Sequence, residues 1–153
     1  MALTRWSVGA AALLLGAYCV HAQDVPGGWK VIKDRQGKCQ FAVPTDWVPD
    51  QFSKSFLNSP DGKASAVASP ASAGKSFAEA TAMAKQLMVP TKTVEDSGKR
   101  LWYVYEDSGP SNGKTNWYVA VPSNPVCGMQ ITFKGAAMED TAKKIALSLT
   151  QAK

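Results

Sequence analysis

Leu101-Trp102-Tyr103-Val104-Tyr105 and Trp117-Tyr118-Val119-Ala120-Val121 are the two runs whose reading decides the fold. Alternate residues of a strand point to opposite faces, and in both runs the two alternating sets are apolar. Strands of this kind have to be covered on both sides, so they belong at the centre of a sheet with a layer on each face. Working outward, Thr91 to Asp96, Arg100 to Asp107 and Lys114 to Val121 predict a three-strand meander, the last two joined by Ser108-Gly109-Pro110-Ser111-Asn112-Gly113. A further strand is expected from Val126 to Lys134, then a closing helix from Ala137 to Thr150. Met138, Ala142, Ile145 and Leu149 make its apolar stripe.

Upstream, Ser76-Phe77-Ala78-Glu79 is a capping box, in which serine and glutamate satisfy the free backbone donors of a helix start. Phe77, Ala80, Ala84, Leu87 and Met88 recur at helical spacing until Pro90 stops the helix near Val89. Trp29 to Lys33 and Lys38 to Val43 predict a hairpin around Asp34-Arg35-Gln36-Gly37. Phe52 to Leu57 and Ala64 to Ser69 predict a second pair around Asn58-Ser59-Pro60-Asp61-Gly62. The class is therefore α+β: one antiparallel sheet of about six to seven strands with two helices packed on its faces.

Residues 1–22 lie outside this domain. Arg5 supplies a positive start, Val8 to Ala17 an uncharged apolar core of signal length, and Val20-His21-Ala22 the small residues of a cleavage site. Tyr18 before Cys19 does not fit a lipoprotein signal, and no later segment approaches spanning length. Cleavage would leave residues 23–153 as a single exported domain, periplasmic or secreted. It would remove the chain's one histidine, His21, and its odd cysteine, Cys19. Of 17 basic residues only Arg5 goes, so 16 face 12 acidic ones and the net charge becomes +4. Lys30, Lys33, Arg35 and Lys38 form the densest basic stretch; a solvated hairpin face explains it more simply than contact with an anionic membrane or wall polymer. No nucleic-acid motif is present.

Cys39 alternates in step with Phe41 and Val43, and Cys127 with Met129, Ile131 and Phe133. Each cysteine therefore points to the apolar side of its strand, and the two are expected to pair in an oxidising compartment. A redox or nucleophilic role lacks a Cys-x-x-Cys motif and a neighbouring histidine.

The phrase Phe41-Ala42-Val43-Pro44-Thr45-Asp46-Trp47, the strand Arg100-Leu101-Trp102-Tyr103 and the final strand plus amphipathic helix together resemble the PsbP-like α/β/α sandwich family, named for an extrinsic lumenal subunit of photosystem II. The resemblance spans nearly all of residues 23–153. It implies a fold and a role in assembly or in binding protein partners, with no catalytic motif. A bacterial type of secretory leader and a long-range cysteine pair set this chain apart from the photosynthetic members.

Chemistry is read by exclusion. Without histidine in the processed chain there is no Ser-His-Asp or Cys-His arrangement and no His-Glu-x-x-His zinc site. Phosphate-binding glycine motifs are absent, so no cofactor and no metal is expected. Asp46, Asp50, Glu106 and Asp107 could supply carboxylates for glycoside hydrolysis, but no spacing selects a pair. Lys75 beside Ser76 makes no dyad, because adjacent side chains diverge and Ser76 already caps. Aromatics are the remaining lead. Trp102 and Trp117 are assigned to the core, and Trp47 in its irregular segment is the first candidate for a groove-edge contact, followed by Trp29 and Tyr118. The leading function is a non-enzymatic exported module that contacts a protein or another component of the cell envelope. A carboxylate-dependent glycan hydrolase and a small-molecule carrier using an aromatic sheet face are the alternatives.

Overall fold

The computed structural model describes residues 25–108 and 112–153. The proposed leader, with Cys19 and His21, lies outside the described residues, as does the centre of the Ser108–Gly113 turn.

Two antiparallel sheets and two helices make up the described chain. The hairpin of β1 (Trp29–Lys33) and β2 (Cys39–Pro44) forms where expected, with Trp29 opposite Pro44 and Lys33 opposite Gln40. Asp34 closes its turn by accepting the backbone N–H groups of Gln36, Lys38 and Cys39, and Gly37 takes the left-handed conformation (φ 67°) there. The large sheet contains β3 (Val48–Pro49), β4 (Leu57–Asn58), β5 (Ala64–Pro70), β6 (Pro90–Asp96), β7 (Leu101–Tyr105), β8 (Lys114–Val121) and β9 (Cys127–Lys134). Its order is β3-β4-β5-β9-β8-β7-β6, which puts the two fully apolar runs in interior positions, β7 and β8. Helix α1 (Phe77–Leu87) follows β5, and α2 (Ala136–Leu147) follows β9.

The two faces of the large sheet carry different layers. Trp102, Trp117, Val119, Met129 and Ile131 look toward α2 and toward Phe41 and Val43 of β2, forming the main core. Leu101, Tyr103, Tyr105 and Ala120 look the other way and are covered by Phe77 and Met88 from the ends of α1. The alternation that required a double cover thus has a helix on each side.

The Cys39–Cys127 disulfide joins the two sheets, with a Cα–Cα distance of 5.6 Å. Both cysteines are fully buried, as the strand alternation requires. Ser123, in the turn before β9, steadies the second cysteine by accepting its backbone N–H.

Four local expectations need correction. The hairpin does not join the large sheet: with β10 (Thr150–Gln151) on β2 it makes a separate three-strand sheet. The closing helix accordingly ends at Leu147 rather than Thr150; Leu149 turns into the core and the chain becomes extended. Phe52 to Leu57 is not a strand, apart from its last residue. Asp50 accepts the N–H groups of Phe52 and Ser53 and the side-chain amide of Asn58, turning the chain into a loop that leaves Phe52 90% exposed. Leu87, assigned to the apolar stripe of α1, is 80% exposed, because the helix seats on small Ala80 and Ala84 and on Phe77 and Met88.

Candidate functional site

Helix α2 packs on β9 and β2, so together with the hairpin it covers the β5–β9 half of the main-core face. Along the side of α2 that faces β7 and edge strand β6 that cover narrows, although Trp102 and Trp117 remain buried. A groove of about 500 Å³, open to solvent, lies there. Trp102 and Val104 of β7, Trp117 of β8 and Phe133 of β9 form its floor. One wall is β6, with Lys92, Thr93 and Val94; the other is the polar side of α2, with Glu139 and Lys143.

The floor is rigid for a physical reason. Trp102 meets Trp117 edge to face at 4.8 Å between ring centroids, and Trp117 meets Phe133 in the same way at 4.5 Å. The rings lock one another, and the two indoles are only 4% and 6% exposed. The buried indole N–H of Trp102 has no hydrogen-bond partner among the described residues. At the rim, Lys92 and Lys143 are exposed and take part in no ion pair among the described residues. Two free cations beside one carboxylate, Glu139, give the rim a net positive character over an apolar floor.

The aromatic candidates from the sequence land in three separate places. Trp47 is 2% exposed and belongs to the main core, which corrects the expectation of an exposed edge; only a margin of it reaches a shallow depression with Asp46 and Asp61. Its backbone carbonyl, together with that of Thr45, accepts from the Lys30 ammonium, which ties this irregular segment to β1 and turns the indole inward. Trp29 is half-buried and lines a smaller cavity, about 210 Å³, between β1 and the end of α2. Tyr118 lies on the opposite face of the sheet, stacked at a tilt on Tyr103 with 5.4 Å between centroids. Trp102 and Trp117, assigned to the core, are in the core and also floor the groove. Alternation placed them on one face; nothing in it tells which half of that face a distant helix leaves open.

Burial pushes the hydroxyls of Tyr103, Tyr105 and Tyr118 up from their ordinary value, with the neighbouring tyrosines adding to the effect at Tyr103. These groups stay neutral and are poor bases. Asp61 is held below the ordinary carboxylate range by the Ser59 hydroxyl and the Lys63 N–H, and Asp50 by the N–H groups of Ser53 and Phe52 and the Asn58 amide. Both are occupied in turns. No cluster of three or more metal-ligating side chains occurs among the described residues, and no described helix is long and apolar enough to cross a membrane.

No family model matches the chain, and no curated protein matches it. Among solved structures it is similar to cyanobacterial PsbP from Synechocystis sp. PCC 6803. The match has 10% identity and a TM-score of 0.45, covering 85% of this chain and 96% of that one. The likeness concerns the course of the chain and carries no residue role across.

Proposed function

We propose that this protein is a non-enzymatic binding module of the cell envelope, exported by its N-terminal leader, and that it holds a protein partner in the groove between α2 and β6. The observation that carries this reading is the combination of an open groove, an interlocked aromatic floor and unpaired lysines at the rim. The interlocked floor holds the shape of the groove without ordering on binding, while the unpaired cations give register and orientation to an acidic neighbour. An extended segment bearing one large apolar side chain beside an acidic residue matches both. An enclosed cavity would suit a small-molecule carrier; this groove opens to solvent along a sheet edge, as partner binding requires.

Of the carboxylates considered for glycan hydrolysis, Asp46 shares a depression beside Trp47 with Asp61, which was not among them, and Asp50 is taken up by its own loop. Asp61 is bound into its turn and held ionised. A general acid needs the opposite shift, which makes this the weaker reading.

The test is capture from envelope extract with the exported protein, comparing wild type with a Lys92→Glu, Lys143→Glu double variant. A saturable partner that binds wild type and loses at least about tenfold in affinity with the double variant supports the groove. Equal capture by wild type and the double variant places binding elsewhere, and a Leu87→Ser control, outside the groove, should capture like wild type. Release of reducing ends from envelope glycan that disappears with Asp46→Asn would favour the hydrolase.

A further inference from the structure

A second surface, remote from the groove, carries a different chemistry. The loop between β3 and β4 holds Phe52 out into solvent, 90% exposed, with Phe56 half-exposed behind it. This loop is built rather than frayed: Asp50 accepts from Phe52 and Ser53, the Asp50 N–H donates to the Phe56 carbonyl, and the Phe56 N–H donates to that of Ser53. Across a cleft of about 470 Å³ stands the β1–β2 turn with Lys33 and Arg35, and Lys54 rises from the loop itself. Lys38 is exposed in the same turn.

The acidic groups here are turned inward. Asp34, the one carboxylate on the cleft, is buried and accepts three backbone N–H groups; Asp50 is saturated by its own loop. The outward-facing charge on the cleft is therefore cationic, from Arg35 and Lys54 beside a projecting phenyl ring, with Lys38 exposed in the same turn, while the Lys33 ammonium donates to the Lys153 carbonyl oxygen. An aromatic ring that enters the headgroup boundary, ringed by lysine and arginine that meet anionic headgroups, is the pattern of a peripheral membrane contact.

We propose that this tip docks the protein on the surface of an anionic phospholipid bilayer, Phe52 inserting and Arg35, Lys38 and Lys54 meeting headgroup phosphates. Charge complementarity selects the lipid: a neutral bilayer would leave the cations unpaired, and a purely apolar partner would leave them buried without counter-charge. The contact is independent of the α2–β6 groove and leaves it free.

Flotation with vesicles tests this, using the protein recovered after export, with intact mass showing that all variants share one N-terminus. Wild type should float with vesicles containing about 30% phosphatidylglycerol at low salt and stay behind with pure phosphatidylcholine, and binding should fall at least tenfold in about 0.5 M salt. Phe52→Ser should weaken binding about tenfold, and joint reversal of Arg35, Lys38 and Lys54 to Glu about a hundredfold. Thermal unfolding of each variant separates loss of binding from loss of fold; Lys99→Glu, in the exposed turn between β6 and β7, should bind like wild type. Equal binding to both vesicle types, no binding to anionic vesicles, or unchanged binding by folded Phe52 and charge-reversed variants would each overturn the proposal.

Discussion

Gly128 of β9 shows how a single side chain can be excluded by its neighbour. A Cβ there would stand 2.6 Å from the Tyr118 hydroxyl oxygen, and Tyr118 has little freedom to retreat because it stacks on Tyr103. Gly128→Ala is expected to cost about 1–3 kcal/mol in denaturant unfolding. If the clash is the cause, the same change made in a Tyr118→Ala background should cost much less, and the double-mutant cycle measures the difference. The tyrosines of this face also set an alkaline limit. Apart from Tyr18, which lies outside the described residues, Tyr103, Tyr105 and Tyr118 are all the tyrosines of the chain, and burial raises each. A raised folded value favours the neutral hydroxyl, so its stabilisation is complete below the ordinary value of 10.0 and is lost as pH rises above it. Tyrosinate absorbance should thus stay low in the native state beyond pH 10.0 and appear together with alkaline unfolding. Gradual ionisation in a folded protein would contradict the burial of this cluster.

At the scale of elements, α1 depends on its ends more than on its middle. It buries only Ala80 and Ala84 along its length, and the larger contacts come from Phe77 and Met88. The capping box is complete, with the Ser76 hydroxyl accepting the Glu79 N–H and the Glu79 carboxylate accepting the Ser76 N–H. Ser76→Ala should therefore cost about 1 kcal/mol, with α1 amides losing hydrogen-exchange protection before those of β8 and β9. The loop after β3 depends on one carboxylate in a similar way. Asp50 is held below its ordinary value of 3.8 by Ser53, then Phe52, then Asn58, so its deprotonated form is the one the fold favours. That contribution is present above pH 3.8 and is lost as pH falls through the lowered value. Between neutral pH and 3.8 proteolysis at the Phe52 loop should stay slow, and it should accelerate below that in wild type. Asp50→Ala, which removes the acceptor of both N–H groups, should expose the loop at every pH. Element identity was legible in the sequence wherever alternation, a cap or a glycine turn was strong: β1, β2, β5 and α1 to β9 all occur within a residue or two of where the pattern places them. The turn signal of Asn58 to Gly62 predicts a strand on each side of it, but over Phe52 to Phe56 the Asp50 side chain takes the backbone donors that a strand would have used.

For the molecule as a whole, the disulfide is the covalent tie between the two sheets. It joins residues 88 apart and links β2 to β9, so the small sheet is held over the large one from both the chain and the side-chain direction. Replacing Cys39 and Cys127 together by Ala should lower the unfolding free energy by about 4.6 kcal/mol on chain-entropy grounds, measured by denaturant unfolding against the oxidised wild type. A loss below about 1 kcal/mol would mean that the unlinked unfolded chain is already compact. The cysteine pair was legible because parity alone put both thiols on buried faces. The amino-acid sequence by itself also determined that β7 and β8 lie between two layers, since their period of two carries apolar side chains on both sides. Only the tertiary structure decided that the hairpin and β10 form a sheet of their own, that Trp47 turns inward, and that α2 covers one half of the sheet and leaves Trp102 and Trp117 as the floor of a groove. Those outcomes rest on how Phe41, Met129 and Ile145, far apart in the chain, fill one core together. Alternation and helical spacing report which face of an element is apolar; where along a sheet two apolar faces meet is set by the volumes that have to fit between them.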